Sequence, residues 1–338
     1  MLPYINENET KITLYKRQLN KDSSRVGIVL LIYFVATFAI TFVTILPVML
    51  ATLFSSDINS GNLDMSFMED TTFLMLESGL VSLLTFFGVT IIYSIIVKAD
   101  FGKIFPINKI GAKVTTLLCS FGLAVALTAN YVSQLVIELF GAFGINANID
   151  TDYPWDSALD VILFYVSVAI LPALVEEFAF RGIILGSLRK YSDGLAVLVS
   201  GIVFGLMHGN FTQIPFATVV GLILGYIVVK TNSLLPSIII HFLNNFLSVT
   251  MTLLSSSAAL PDYLVDIINI GLTLIVAILG IVSFTILSKK HKGFFKLKQG
   301  DEIITFKEKV KIVFKSPTII AFAVFSLLEA ILMLSIEV

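Results

Sequence analysis

The sequence predicts an all-α membrane protein, a polytopic bundle of about eight to nine transmembrane helices with a cytoplasmic N terminus. Hydrophobic residues make up 57% of the 338 residues, charged residues only 14%, and the mean hydropathy is +0.94. These values lie far outside the range of soluble domains. The apolar runs are continuous and reach the roughly 20 residues that a helix needs to cross the membrane. The ten-residue alternation of a membrane β-barrel is not favoured.

Long apolar runs define the predicted spans. We place nine of them at about 26–54, 78–97, 114–136, 158–188, 194–208, 211–230, 234–256, 263–288 and 317–336. The predicted organisation is a cytoplasmic tail at 1–25, a membrane domain at 26–288, a basic cytoplasmic loop at 289–316 and a final helix at 317–338. The first 25 residues lack the pattern of a removable signal peptide, so we expect a multi-pass protein of the cell membrane, with a bacterial plasma membrane favoured.

The basic residues support one orientation, because cytoplasmic loops retain lysine and arginine. Of the 22 basic residues, all except Arg181 fall on the side of the N-terminal tail, whereas the opposite loops carry aspartate and glutamate. The outer acidic residues are Asp57, Asp64, Glu69, Asp70, Asp150, Asp152, Asp156 and Asp262. The N terminus is therefore predicted to be cytoplasmic.

Two readings remain open for the basic loop at 289–316. Its apolar residues are typical of an amphipathic surface helix that binds anionic lipid, but a solvated loop that only sets the topology is equally compatible. These apolar residues are Ile303, Ile304, Phe306, Val310, Val313 and Phe314. His291 is expected to be exposed and without a function. The single cysteine, Cys119, is expected to be a small apolar core residue.

Charged residues inside the predicted spans point to a site, because a charge at the bilayer centre costs about 2.5 to 3.5 kcal/mol on insertion scales. The fourth span contains Glu176, Glu177 and Arg181, the fifth ends at His208, and the seventh contains His241-Phe-Leu-Asn-Asn245. No other predicted span is expected to hold a comparable group.

Helical spacing suggests how these side chains are arranged. Glu177 and Arg181 are four residues apart and can pair, whereas Glu176 points about 100° away and is left free. His241 and Asn245 also share one helix face. At 1.5 Å per residue, Glu176, His208 and Asn245 each lie roughly 20 Å from the inner end of their helix. The sequence therefore predicts that these residues converge in mid-membrane.

These residue types suit the activation of water. Burial raises the proton affinity of a carboxyl group and makes it an effective general base, and a nearby imidazole can share the proton. An asparagine amide with a second imidazole can stabilise the oxyanion of a tetrahedral intermediate. The set is complete for peptide hydrolysis.

The three motifs resemble those of the CPBP intramembrane protease family, which includes the CAAX-prenyl endopeptidases and bacterial proteins labelled Abi or bacteriocin-processing. They read Glu176 to Arg181, Phe204 to His208 and His241 to Asn245. No motif position is altered, and the resemblance covers about 158–250.

The resemblance implies a glutamate-type, metal-independent endopeptidase with an eight-helix core. Glu176 would activate water, His208 would assist it, and His241 with Asn245 would bind the oxyanion. Glu177, Arg181 and Phe204 would support the site. The implied substrate is a membrane-embedded or lipidated peptide, the other partners are membrane lipids, and neither a cofactor nor nucleic acid is expected.

Other classes of function remain open. Two carboxylates and two histidines can ligate zinc, which would make the chain an intramembrane metalloprotease, although Asn245 favours hydrogen bonding instead. A catalytically idle family member would act as a membrane scaffold or bacteriocin-immunity protein. A proton-coupled transporter would use the same carboxylates as a relay, but the sequence shows no internal repeat. The buried charges would alternatively form a structural ion network.

Overall fold

The computed structural model describes residues 7–55, 70–147, 155, 157–256, 260–290, 293–298, 300 and 302–336. The helices are α1 (Glu7–Ser55), α2 (Thr71–Ile96), α3 (Phe101–Ile104), α4 (Ala112–Gly141), α5 (Ala158–Arg189), α6 (Asp193–Leu206), α7 (Gln213–Thr231), α8 (Leu235–Ser256), α9 (Asp262–Lys290), α10 (Phe306–Phe314) and α11 (Pro317–Leu332). Two short strands, β1 (Ile145–Asn146) and β2 (Ser335–Ile336), pair antiparallel. The predicted all-α fold is confirmed.

Among the described residues, seven helices are long and apolar enough to cross a membrane, and an eighth span results if α10 and α11, bent by 65°, are counted as one. The prediction of nine spans is wrong at the fifth. That segment, α6, has 14 residues and is about 21 Å long, which is shorter than the roughly 30 Å of a hydrocarbon core. The predicted run 194–208 is therefore a short helix that packs along α7.

Glycines allow α6 and α7 to pack backbone against backbone. A Cβ added to Gly221 would lie 2.9 Å from both the Cα and the carbonyl oxygen of Gly201. Such close approach is typical of helix pairs in membranes, where small residues line the interface. The turn between the helices contains Gly209 at φ +60°, and the side-chain oxygen of Asn210 accepts a hydrogen bond from Gln213 N at 2.8 Å. This turn fixes the position of His208.

The polar tail and the basic loop are more ordered than predicted. Residues 7–25 form the first turns of α1, and part of the loop forms α10, which packs against α1. Val313 and Ile304 are buried in the main core, and Lys309 donates from Nζ to the carbonyl oxygen of Tyr191 at 2.9 Å. Ile304 and Val313 therefore face the protein, whereas Phe306 is 48% exposed. Binding of anionic lipid by this helix stays a prediction.

Some sequence predictions stay predictions. His291 and the acidic residues Asp57, Asp64, Glu69, Asp150, Asp152 and Asp156 lie outside the described residues. The cytoplasmic position of the N terminus also stays a prediction, because the length and composition of the helices do not define which side of the membrane each end lies on. Cys119 is partly buried at the edge of an apolar cluster that includes Leu118, as expected for a small core residue.

Candidate active site

Three helix segments bring the motif residues together. The long helix α5 supplies Glu176 and Glu177, and its α-helical hydrogen bonding changes to a π-helix over Glu177–Leu185. Such irregularities occur frequently at functional sites. The end of α6 supplies Phe204 and His208, and the middle of α8 supplies His241. Nearly all side chains of Glu177–Leu185 and most of those of α6 are buried.

Glu177 and Arg181 form a fully buried ion pair, with 2.8 Å between Oε1 and Nη1. This confirms the pairing predicted from their spacing. The guanidinium lies 4.3 Å from the centroid of the Phe204 ring, and its Nη2 donates to the carbonyl oxygen of Gly221 at 3.3 Å. Arg181 therefore connects α5 with α6 and α7. A buried pair of this kind fixes the relative position of helices rather than adding much stability.

His241 lies between the two glutamates. Its Nδ1 is 3.0 Å from Glu177 Oε1, and its Nε2 is 3.9 Å from Glu176 Oε2. An ionised carboxylate only accepts hydrogen bonds, so we assign the proton to Nδ1, and the Nε2 lone pair of a neutral imidazole then faces Glu176. His241 is thus oriented by Glu177 to exchange a proton with Glu176.

His208 is held by its own helix. A carbonyl oxygen can only accept, so Nδ1 donates to the carbonyl oxygen of Phe204 at 2.9 Å, which leaves Nε2 for other partners. The Phe204 ring stands edge-on to both imidazoles, with centroid distances of 5.0 Å to His208 and 5.8 Å to His241. Phe204 therefore contacts both histidines.

Asn245 is oriented by two neighbours. Its Nδ2 donates to the carbonyl oxygen of Val168 at 3.1 Å, and its Oδ1 accepts from Asn244 Nδ2 at 3.2 Å. An amide nitrogen carries two hydrogens, so one donor of Asn245 is left beyond the bond to Val168. Asn244 is itself buried, and its contact with Asn245 was not expected, because helical spacing predicts that the two side chains project to different sides.

A cavity of about 380 Å³ lies against the site. Its volume far exceeds the roughly 15 Å³ that one water molecule requires. Among its lining residues are Glu176, His208, Phe204, Val168, Glu77, Gln213 and Glu329. Glu176 and His208 thus share one cavity, and His241 and Asn245 are not among its lining residues.

One cavity residue, Glu329, corrects the expectation that no other predicted span holds a comparable charge, because it lies within the last helix. A second cavity residue, Glu77, lies in α2, one residue before the predicted span begins. Glu329 could have been found by the same criterion that found Glu176, because it interrupts an apolar run. Gln213 had no signal, since it begins α7 at the end of a polar turn.

The zinc alternative does not fit the arrangement of the side chains. Within the part of the chain that the structure describes, no three His, Cys, Asp or Glu side chains are grouped as metal ligands. His241 Nδ1 is directed at Glu177 rather than at a shared point with His208. We therefore derive no step through a metal ion.

Comparison with known proteins agrees with the motifs. Residues 158–247 match the model of a family described as Type II CAAX prenyl endopeptidase Rce1-like. This segment, 158–247, is similar to that family, and we call it the Rce1-like domain after this resemblance. All three motifs lie inside it, so the resemblance seen in the sequence is confirmed.

Two bacterial relatives share similarity with the chain. The membrane-embedded CAAX protease MroQ of Staphylococcus aureus (strain USA300) is 31% identical over 134 residues, which are 38% of this chain and 53% of the relative. A protein of Bacillus subtilis (strain 168) described as "Putative membrane peptidase YdiL" is 30% identical over 100 residues, which are 28% of this chain and 41% of the relative. The chain thus spans about half the length of the curated relatives it matches. No solved structure matches the chain.

The Rce1-like domain occupies the centre of the helix bundle, and α1, α2 and α11 lie outside it. These helices nevertheless contribute Thr37, Glu77 and Glu329 to the cavity. Together with the apolar helices, the membrane-protein relatives establish a multi-pass protein of the cell membrane, as predicted.

Proposed function

We propose that this chain is an intramembrane endopeptidase that hydrolyses a peptide bond of a membrane-embedded or lipidated substrate with water activated by Glu176. The observation that carries the proposal is the position of the Glu176 carboxyl group, which faces a cavity shared with His208 and lies 3.9 Å from His241 Nε2. The Rce1-like domain and the protease relatives support the reaction class.

The proposed first step is general base catalysis. Glu176 takes a proton from a water molecule in the cavity, and the water oxygen attacks the carbonyl carbon of the substrate. The negative charge then moves to the carbonyl oxygen. The remaining amide hydrogen of Asn245 and an imidazole are the donors available for this oxyanion, as the resemblance implies.

In the second step the carbon–nitrogen bond breaks and the leaving amine takes up the proton. Glu176 returns the proton it removed from water, and His241 or His208 relays it. Glu177 holds His241 by its hydrogen bond at 3.0 Å, and Arg181 holds Glu177. These two residues position the proton-transfer groups and take no part in the bond changes themselves.

The test compares new peptide termini in the membrane proteome of cells that express the wild-type chain or Glu176→Gln at equal levels. Glu176→Gln keeps the shape of the side chain and removes the base. A matched control is Glu138→Gln, because Glu138 is an exposed glutamate of α4 outside the cavity. We expect termini that are present with wild type and Glu138→Gln and missing with Glu176→Gln. Identical profiles for all three would refute the proposal and favour a scaffold or immunity protein.

A further inference from the structure

The last helix places a carboxyl group at the cavity from outside the Rce1-like domain. Glu329 of α11 lines the same cavity as Glu176 and His208. Helix α11 is fixed by a buried stripe of Phe322, Ser326 and Ala330 and continues into β2, which pairs with β1. The position of Glu329 is therefore set by the fold rather than by a mobile terminus.

Glu329 lies directly over the turn that carries His208. A Cβ added to the adjacent Gly209 would lie 2.4 Å from both Cδ and Oε2 of Glu329. Gly209 also has φ +60°, a conformation that favours glycine. The positive φ thus favours glycine in this turn, and a larger residue at position 209 would also have to displace the carboxyl group of Glu329.

The carboxyl group of Glu329 has no hydrogen bond or ion pair to any of the residues that the structure describes. Glu77, on the opposite wall, accepts a hydrogen bond from the Thr44 hydroxyl. A half-buried carboxylate inside a membrane helix is costly unless something pairs with it. The cavity lining contains no lysine or arginine, and Arg181 is paired with Glu177.

We propose that Glu329 is a specificity-determining residue that binds a basic side chain of the substrate close to the scissile bond. This inference rests on the proposed endopeptidase function. A lysine or arginine in the cavity would offset the buried charge of Glu329 and gain a charge-assisted hydrogen bond. A neutral segment would leave the carboxylate unpaired, so substrates with a basic residue near the cleavage site are preferred.

The experiment extends the comparison of membrane-proteome termini to Glu329→Gln, again with Glu138→Gln as the matched control. Glu329→Gln is nearly isosteric and removes only the charge. For each variant, the fraction of Glu176-dependent cleavage sites with lysine or arginine within three residues is compared with that fraction in all membrane segments. We expect at least threefold enrichment with wild type and Glu138→Gln, and its loss with Glu329→Gln.

The outcomes separate this inference from the proposed function. Absence of any Glu176-dependent terminus refutes both. Glu176-dependent termini without basic enrichment, or with the same enrichment in Glu329→Gln, refute the role of Glu329 alone.

Thermal unfolding of the purified Glu329→Gln protein in detergent checks its fold. The variant Glu329→Asp, which retains the charge, is expected to keep at least part of the basic enrichment. Loss of the enrichment in Glu329→Asp and Glu329→Gln alike would show that charge is not the determinant.

Discussion

His241 presents Nε2 to the Glu176 carboxyl group at 3.9 Å, while its Nδ1 is occupied by a second glutamate. This relationship separates two adjacent carboxylates into different roles. The Glu177 carboxylate belongs to a buried ion pair and orients the imidazole, whereas the Glu176 carboxyl group faces the cavity. Adjacent glutamates on a helix point about 100° apart, so the doubled glutamate is a simple way to supply both roles.

The buried ion pair makes one variant strongly destabilising. Arg181→Met would leave the Glu177 carboxylate buried without its cation, and removing one partner of such a pair typically costs about 3 to 5 kcal/mol. The measurement is thermal unfolding in detergent. The double variant Glu177→Gln with Arg181→Met is expected to recover part of the loss. Equal stability of Arg181→Met and wild type would contradict the structural role of the pair.

His241→Gln is expected to remove most of the activity and little of the stability. The imidazole is the proton-exchange group nearest Glu176, and a positioned acid or base contributes about 10²- to 10⁴-fold. The check is the cleavage rate of the purified protein on a substrate identified from cells, beside its unfolding temperature. A rate within threefold of wild type would exclude His241 from the reaction.

Asn245→Ala is expected to lower kcat and leave KM largely unchanged. Loss of one oxyanion donor typically costs about 10²- to 10³-fold in rate, and the bond to Val168 already orients the amide. Steady-state kinetics separate the two constants. A raised KM with an unchanged kcat would instead indicate a role in binding the substrate.

The contact between Gly209 and Glu329 predicts non-additive stabilities. Gly209→Ala is destabilising because of its positive φ, by about 1 to 2 kcal/mol, and because its new methyl group meets Glu329. In a Glu329→Ala background, the destabilisation that comes from the contact between the new methyl group and Glu329 disappears. Thermal unfolding of the four proteins in the cycle gives the coupling, which we expect to exceed about 0.5 kcal/mol. Strict additivity would mean that the contact is relaxed without cost.

Chelators are expected to leave the cleavage rate unchanged, because the histidines and glutamates are paired with one another instead of converging as ligands. The purified protein is assayed after dialysis against a strong chelator, with and without added zinc. Loss of activity that zinc restores would establish the metalloprotease alternative and refute the metal-independent mechanism.

Composition and charge patterning were sufficient to predict the helical membrane fold, and the cost of buried charge located Glu176, His208 and His241. The predicted bounds 194–208 already made α6 short, but it was still counted as a span, because an apolar run does not reveal whether a helix crosses the membrane. The burial of α10 was missed for a similar reason. The apolar face of α10 is compatible with contact to lipid and with contact to protein. Which contact forms depends on the N-terminal extension of α1, against which α10 packs.

Long-range contacts were also beyond the sequence. The spacing of Glu177 and Arg181 is local, so their pairing was predictable. The approach of Glu329 to Gly209 joins residues 120 positions apart in the chain, and it depends on how α11 packs against α1 and α6. A more systematic count of charges in apolar runs would have identified Glu329, but not its neighbour.

The most direct test of the account is the cleavage rate of purified wild type and Glu176→Gln on one substrate identified in cells, measured in the same detergent. The account predicts at least a hundredfold lower rate for Glu176→Gln, with an unchanged unfolding temperature, because only the general base is lost. Cleavage by Glu176→Gln at the wild-type rate would contradict the activation of water by Glu176.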